Sequence, residues 1–577
     1  MNFLKKYDAA QYISRLLAAF TFVLLLTYST ATAKFYDKAF YESIDFPIFL
    51  FATGALFALL YFVPLDKIIN CFTLINLTVY FTLAANQVMD YWFSFGLCLV
   101  LCMAVYYLNF GAVRFQPPKW SLWIVIGTLA AVYAVIIGFA CCLYYWDNWD
   151  ATYDFGIFSQ MFYYMKKTGQ MLTTCERDML LSHFAVHFSP IYYLLLPIYC
   201  IFPTPETLLF SCAAIVASGV IPLVLLCRKF HFSAYCCVAF AVVYLLYPGF
   251  LGGQFYPIHE NCFLVALLLW FFYFVEKEKS LPAAIFALLT MMVKEDAPVY
   301  IAIAAIYFIF ANKSRILNIF ILLFSLLYFF TVTEYMRLFG EGVMDDMRYG
   351  DYIYDDGGLF TVVKSLIQNP IFAIQQIFKT NKILYVVQML APLCFLPFVI
   401  KKPAKLILLI PFILINLMSN YPYQADIGFQ YHFGTGAFLF YLAVTNYAEL
   451  GEKRNKTIVC AALCSVIIFG GGMYGKIKYS DAYKNYGEIR QTVNAALELV
   501  PEDASVSAST FFVAKLSQRD EVYDLGYTDK ETEYVVVDLR VEGPEDVSDF
   551  LNDSYEALCY HEGIIAVFRN LNYKSTN

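Results

Sequence analysis

Charge is what this chain has least of. Of its 577 residues only 15% are Asp, Glu, Lys or Arg, where a soluble protein carries about a quarter. Hydrophobic residues make up 60% and aromatics 19%, and they come in long runs rather than at scattered core positions. A soluble globular enzyme is thereby excluded, and a polytopic α-helical membrane protein is expected. No Lys/Arg cluster with interleaved aromatics occurs and the net charge is −7, so nucleic acid is set aside as a partner. CxxC pairs and Cys/His zinc spacings are missing as well, which argues against a cysteine-based metal site. Most of the 16 cysteines, such as Cys98, Cys102, Cys141, Cys142, Cys236 and Cys237, sit inside apolar runs. There they read as small buried hydrophobes. Only Cys175 and Cys559 lie in polar surroundings. Internal repeats and low-complexity tracts are also lacking.

What is there is a ladder of apolar segments separated by short basic loops. Lys5, Lys6 and Arg15 open the chain, and the apolar stretch behind them reads as an uncleaved first helix because further spans follow at once. Basic residues then recur at Arg114 and Lys119, Arg228 and Lys229, Lys277 and Lys279, Lys313 and Arg315, Lys401 to Lys405, and Lys453 to Lys456. Cytoplasmic loops carry such an excess. The alternation closes only if 190–202 lies along the outer surface without spanning. About 15 spans result, with the N-terminus in the cytoplasm and the C-terminus outside. Residues 1–118 form N-terminal helices. A transmembrane core covers 119–476, with outer loops at 146–204, 251–260, 336–381 and 420–432. From 477 to 577 the texture is soluble. An amphipathic helix over 478–500 and strands in SVSAS, EVYDL, EYVVVDL and GIIAVFR predict a small extracytoplasmic α/β domain.

The stretch LTMMVKEDAPVY raises the functional question, because three charges interrupt two apolar runs. In this topology Lys294, Glu295 and Asp296 form a tight outer turn between two short helices. The other outer loops carry Asp154 and Gln160, His183 and His187, His259 and Glu260, and Tyr431 and His432. Ionisable groups at membrane depth are costly and normally face a water-filled cavity or a partner. Charges and imidazoles brought to one face therefore predict a single polar cavity opening outward. Each element also has a plainer reading. Lys294 to Asp296 could be a solvated turn, and Asp154 a helix N-cap. Glu176, Arg177 and Asp178 read as surface charges, and Tyr431 and His432 as interfacial belt residues. His183 and His187 would share a helix face, but without the HExxH pattern of a zinc protease.

Several of these stretches occur together in a known pattern. Asp-x-Gly-Ile-x-x-Gln at 154–160, His-Phe-Ser-Pro at 187–190, Pro-x-Pro-x-Thr-Leu-Leu at 203–209 and Val-Lys-Glu-Asp-Ala at 293–297 are the core of it. Phe-Gln-Tyr-His at 429–432, Asp-Ala-Ser-Val at 503–506 and Tyr-Val-Val-Val-Asp at 534–538 complete it. The chain from roughly 120 onward thus resembles an uncharacterised family of multi-pass prokaryotic membrane proteins, a domain of unknown function. It departs at Glu260-Asn261, where the pattern leads one to expect Pro after His259. That family resembles in turn the GT-C superfamily of integral-membrane glycosyltransferases. The resemblance implies an acidic catalytic residue in the first large outer loop, where Asp154 stands, and a sugar donor on a polyprenyl-phosphate carrier. It also implies inversion at the sugar, an extracytoplasmic glycan or protein acceptor, and a place in the plasma membrane and cell-envelope synthesis. On this reading Asp154 is the base or a metal ligand. Lys294 meets the lipid phosphate with Glu295 or Asp296 holding it, and Gln160, His183, His187, His259, Glu260 and His432 bind substrate. Asp154, His183, His187 and His259 are also the candidate ligands of a divalent cation, Mg or Mn. Two further classes stay open: a transporter or flippase for a lipid-linked or polar solute, and a non-catalytic cell-envelope assembly protein.

Overall fold

The computed structural model describes residues 7–31, 33–108, 118–148, 153–177, 179–256, 258–342, 345–354, 358–451, 454–477, 479–541 and 544–574. Helices dominate up to Ile477. Six are long and apolar enough to cross a bilayer: Ala9–Thr30, Asp66–Val88, Trp120–Trp146, Pro205–Lys229, Arg315–Phe339 and Arg454–Gly472. A seventh candidate, Ala234–Leu245 followed by Pro248–Gln254, is bent by 41°. Proline supplies no backbone N–H and so breaks the ladder there. The expected span count is therefore met only in part. Phe46–Tyr61, Tyr91–Tyr107, Cys262–Glu276, Ser280–Met291 and Ala297–Phe310 are apolar but shorter than the ~20 residues a straight span needs. Several owe their apolar character to protein contact. Nearly every side chain of Cys262–Glu276 and Phe433–Ala448 is buried by neighbouring helices.

The elements between Tyr153 and Ile201 are short. Residues 190–202 form a 3-10 turn, Pro190–Leu194, and a six-residue helix, Leu196–Ile201, too short to span. Strands β1 (Leu172–Thr173) and β2 (Leu181–Ser182) pair antiparallel and close the 174–180 loop.

The C-terminal unit holds a five-stranded sheet. Its strands are β3 (Val506–Ala508), β4 (Val522–Asp524), β5 (Tyr534–Val537), β6 (Tyr555–His561) and β7 (Ile565–Asn570), in the order β4-β3-β5-β7-β6. β3 runs parallel to β4 and β5, and β7 antiparallel to β5 and β6. The four expected strands are present, and β6 adds a fifth. The single helix expected over 478–500 is two, Ser480–Asn485 and Gly487–Leu497. Gly487, a poor helix former, stands at the joint.

This unit is joined to the outer-loop helix Tyr153–Thr168. Gly156 makes room for it, because a Cβ there would fall 2.5 Å from Val513 Cγ1. Ser517 donates to Ser159 Oγ at 2.7 Å, Arg490 pairs with Asp147 at 2.8 Å and Lys167 with Asp520 at 2.5 Å.

Candidate functional site

The charged turn at 294–296 is not solvated. Lys294 is 1% exposed and lies 2.7 Å from Glu260 Oε1, whose own side chain is fully buried. The second Glu260 oxygen receives the Tyr192 hydroxyl at 3.2 Å and sits 2.9 Å from His259 Nδ1. Glu260 immediately precedes the Cys262–Glu276 helix, where the helix dipole favours a negative charge. Next along the chain, Glu295 contacts His187 Nδ1 at 3.2 Å and accepts the Phe188 backbone N–H at 3.3 Å. Asp296 pairs with Arg348 at 3.2 Å, and the Arg348 guanidinium lies 5.9 Å from the Tyr431 ring centre.

The β1–β2 ladder decides where the histidines go. By folding the 174–180 loop back it brings Glu176 to within 3.2 Å of His183 Nδ1. His183 opens a 3-10 turn, and the His187 N–H donates to its carbonyl at 2.8 Å. The rings of His183 and His187 are 5.9 Å apart, and those of His187 and His259 6.4 Å apart. Phe158 wedges edge-on between His183 and His259, at 5.6 and 5.1 Å. One turn earlier on the same helix face stands Asp154, half-buried, taking the hydroxyl of Tyr256.

The electrostatics follow from crowding charges in a dry place. Burial opposes ionisation of Glu260, but His259 and Lys294 hold its carboxyl well below the usual range. Burial likewise works against a charged Lys294, and Glu260 and Glu295 outweigh it, raising its pKa. Glu295, buried too, is held at about 2 by His187, Lys294 and Arg348. Against the same burial penalty Glu176 is lowered by His183, and His183 is raised by Glu176. His259 behaves differently, because burial pushes it down despite Glu260. His183 Nε2 and Asp296 Oδ1 are buried and make no hydrogen bond among the described residues.

Asp154, His183, His187, His259, Glu260, Lys294, Glu295 and Asp296 are thus gathered at one end of the bundle. Two expected members stand elsewhere. Gln160 is spent on the C-terminal unit: its amide donates to Thr174 Oγ1 and to the Arg519 and Asp520 carbonyls, and its oxygen accepts from Thr173 and Thr174. His432 is buried against the Gly249 carbonyl and beside Tyr385. That contact exists because Gly249 and Gly252 let the Pro248–Gln254 helix come close; a Cβ on Gly252 would meet the Ile427 carbonyl oxygen at 1.9 Å. Glu176 is no surface charge, being 5% exposed. Arg177 does lie outside, paired with Glu341 at 2.7 Å, and Asp178 falls outside the described residues. Lys294 is held chiefly by Glu260 rather than by its neighbours in sequence. Cys175, expected in polar surroundings, is buried under Val522.

Arg348 escaped the sequence reading. Its signal was its place in DDMRYGDY, an outer loop rich in the opposite charge. Among the described residues the candidate metal set, Asp154, His183, His187 and His259, does not bring its ligand atoms within 4.8 Å of one another as placed. His183, His187 and His259 each turn Nδ1 to a different glutamate, which leaves Nε2 as the free ring nitrogen of each. Among the described residues the group whose ligand atoms converge within 4.8 Å is one of cysteines, Cys102, Cys394 and Cys464.

The family described as "Predicted membrane protein (DUF2079)" matches residues 145–550, more than half of the chain. No curated protein matches. The chain belongs to that membrane family.

Proposed function

We propose that this member of the DUF2079 family is an inverting glycosyltransferase. It takes a sugar from a polyprenyl-phosphate-type carrier and gives it to an acceptor at the outer face of the membrane. The observation that carries the reading is the convergence of a half-buried carboxylate, Asp154, with a buried cation, Lys294, a half-buried one, Arg348, and three imidazoles. They come from separate loops to one end of a membrane bundle, beneath a folded unit.

The chemistry divides the residues. Asp154, oriented by Tyr256, takes the proton of the acceptor hydroxyl. The acceptor oxygen then attacks the anomeric carbon, and the carbon–oxygen bond to the phosphate breaks with its electron pair on the leaving group. Arg348 and Lys294 balance the negative charge that develops there. His187 and His259 bind phosphate or sugar hydroxyls. Ser280–Met291 has 12 residues and rises about 18 Å, short of a hydrocarbon core of about 30 Å. With its basic end in the cytoplasm, it would leave the Lys294 turn below the outer surface, where a lipid-borne phosphate can reach it.

Purified protein in nanodiscs, incubated with radiolabelled polyprenyl-phosphate sugars with and without EDTA, tests the proposal. Asp154→Asn should lower transfer by about 100-fold or more without changing the elution profile. Wild-type turnover by that variant would remove Asp154 from the mechanism. Transport of a lipid-linked or polar solute is the second reading, favoured by the complete burial of the Glu260–Lys294 pair, since such pairs also mark transport paths. Flux into liposomes with no sugar transfer would establish it instead.

A further inference from the structure

Away from the charged cluster, at mid-depth of the helical region, five thiols meet. Cys98 and Cys102 lie four apart on Tyr91–Tyr107, and Cys460 and Cys464 four apart on Arg454–Gly472. That spacing places each pair on one helix face. Cys394 comes from the break between the 3-10 turns Ala391–Leu393 and Leu396–Phe398. Cys102 Sγ and Cys464 Sγ are 3.6 Å apart. The sulfurs of Cys102, Cys394 and Cys464 all lie within 4.8 Å of one another. Cys460 also touches Cys102, and Cys98 Sγ lies 3.7 Å from the Cys464 carbonyl. The surroundings are apolar, with Leu74, Leu101, Val105 and Ile467 packed around.

A second observation singles out Cys394. It and Phe395 both hold positive φ, 46° and 54°. Side chains other than Gly occupy this region at a cost, and paired residues in it are a feature of constrained sites. Here the conformation turns the Cys394 thiol towards the two helices.

We infer that Cys102, Cys394 and Cys464 form an intramembrane binding site for a thiophilic monovalent metal ion, Cu(I). Three sulfurs around one ion at about 2.3 Å in a trigonal plane stand about 4.0 Å apart, and the observed cluster needs only small shifts to reach that spacing. A site with sulfur donors and no carboxylate or imidazole selects soft ions. The monovalent ion is preferred because three sulfurs complete its trigonal plane, whereas a structural zinc ion takes four ligands in a tetrahedron. On binding, the coordinating thiols release their protons to solvent and hold the ion as thiolates. The site ties Tyr91–Tyr107, which precedes the family-matched region, to the 391–398 break and to Arg454–Gly472.

The test uses the full chain in detergent micelles under anaerobic, reducing conditions. Titration with Cu(I) against bicinchoninate should give one tightly held ion per chain. X-ray absorption at the copper edge should show three sulfurs at about 2.3 Å. Cys102→Ser with Cys464→Ser should weaken retention about 100-fold, and so should Cys394→Ala alone. Cys227→Ser with Cys237→Ser, a buried pair elsewhere, should leave it unchanged, and gel filtration verifies that every variant is folded. Loss of copper to the competitor by the wild-type protein overturns the inference. So does unchanged retention in the folded cluster variants, or a Cys102–Cys464 disulfide in peptide mass spectra of the untreated protein. Tighter binding of Zn(II) than of Cu(I) overturns the choice of ion.

Discussion

The helix Cys262–Glu276 carries a buried carboxylate at each end, and the two are solved differently. At the C-terminal end Glu276 meets Lys229, Lys313 at 3.2 Å and the Tyr441 hydroxyl at 2.8 Å. A helix C-terminus is electrically negative, so a glutamate there needs more than one cation. Both lysines are partly exposed, at 20% and 33%, so their charges still reach water. Ahead of the N-terminal end Glu260 stands where the dipole helps it, and one fully buried lysine suffices. The remaining contacts there come from imidazoles and a phenol, groups able to change protonation or partner. The Glu276 cluster is a fixed electrostatic staple. The Glu260 cluster holds titratable side chains, buried atoms without hydrogen bonds among the described residues, and a more exposed carboxylate beside them.

The sharpest way to break this contrast is to remove Glu260. Glu260→Ala strands a buried ammonium, which costs about 3–5 kcal/mol and should lower the apparent unfolding temperature strongly in micelles. Glu260→Leu with Lys294→Met should recover most of that stability while leaving sugar transfer abolished. A single variant as stable as wild type would show that Lys294 has another partner. Glu276→Gln should cost less, about 1–2 kcal/mol, because Lys229 and Lys313 can reach water along their apolar stems, and transfer should persist.

A smaller effect separates the ends by pH. The raised pKa of His183 means its contact with Glu176 is fully stabilising below the unfolded imidazole value of about 6.5 and is lost as pH rises through the folded value. The lowered pKa of Glu176 means its share is lost only when pH falls through that depressed value. Raising the pH from about 6 to about 9 should therefore lower the protection factors over 171–187, measured by deuterium exchange against the base-catalysed intrinsic rate, and leave those around Glu276 unchanged. Smallest of all, Lys402→Ala, at a side chain 75% exposed and 3.5 Å from Glu449, should shift stability by less than about 0.5 kcal/mol.

Particular residues mark how far the sequence could be read. The membrane class and the C-terminal strands were legible because apolar length and short runs rich in β-branched residues are local. The short helices Ser280–Met291 and Ala297–Phe310 leave the span count of about 15 unconfirmed, because each is apolar but falls short of the ~20 residues a straight span needs. Asp154, His183, His187, His259 and Lys294 could be placed on one side from the charge of the loops. Gln160 and His432 could not be told apart from them, since each sits in the same stretches but bonds away from the cluster. Glu176 looked like a surface charge because its neighbours Arg177 and Asp178 mask a side chain that turns inward.

Composition and the ordering of apolar and basic segments alone determined that this is a helical membrane protein with a small α/β unit at its end. They suffice because bilayer and water sort segments by their own polarity. Only the tertiary structure decided that Lys294 answers Glu260, that Arg348 answers Asp296, and that Cys102 and Cys464 touch across 362 residues. A buried charge or thiol takes its partner from whatever the packing brings within about 3–4 Å, and no local pattern records that.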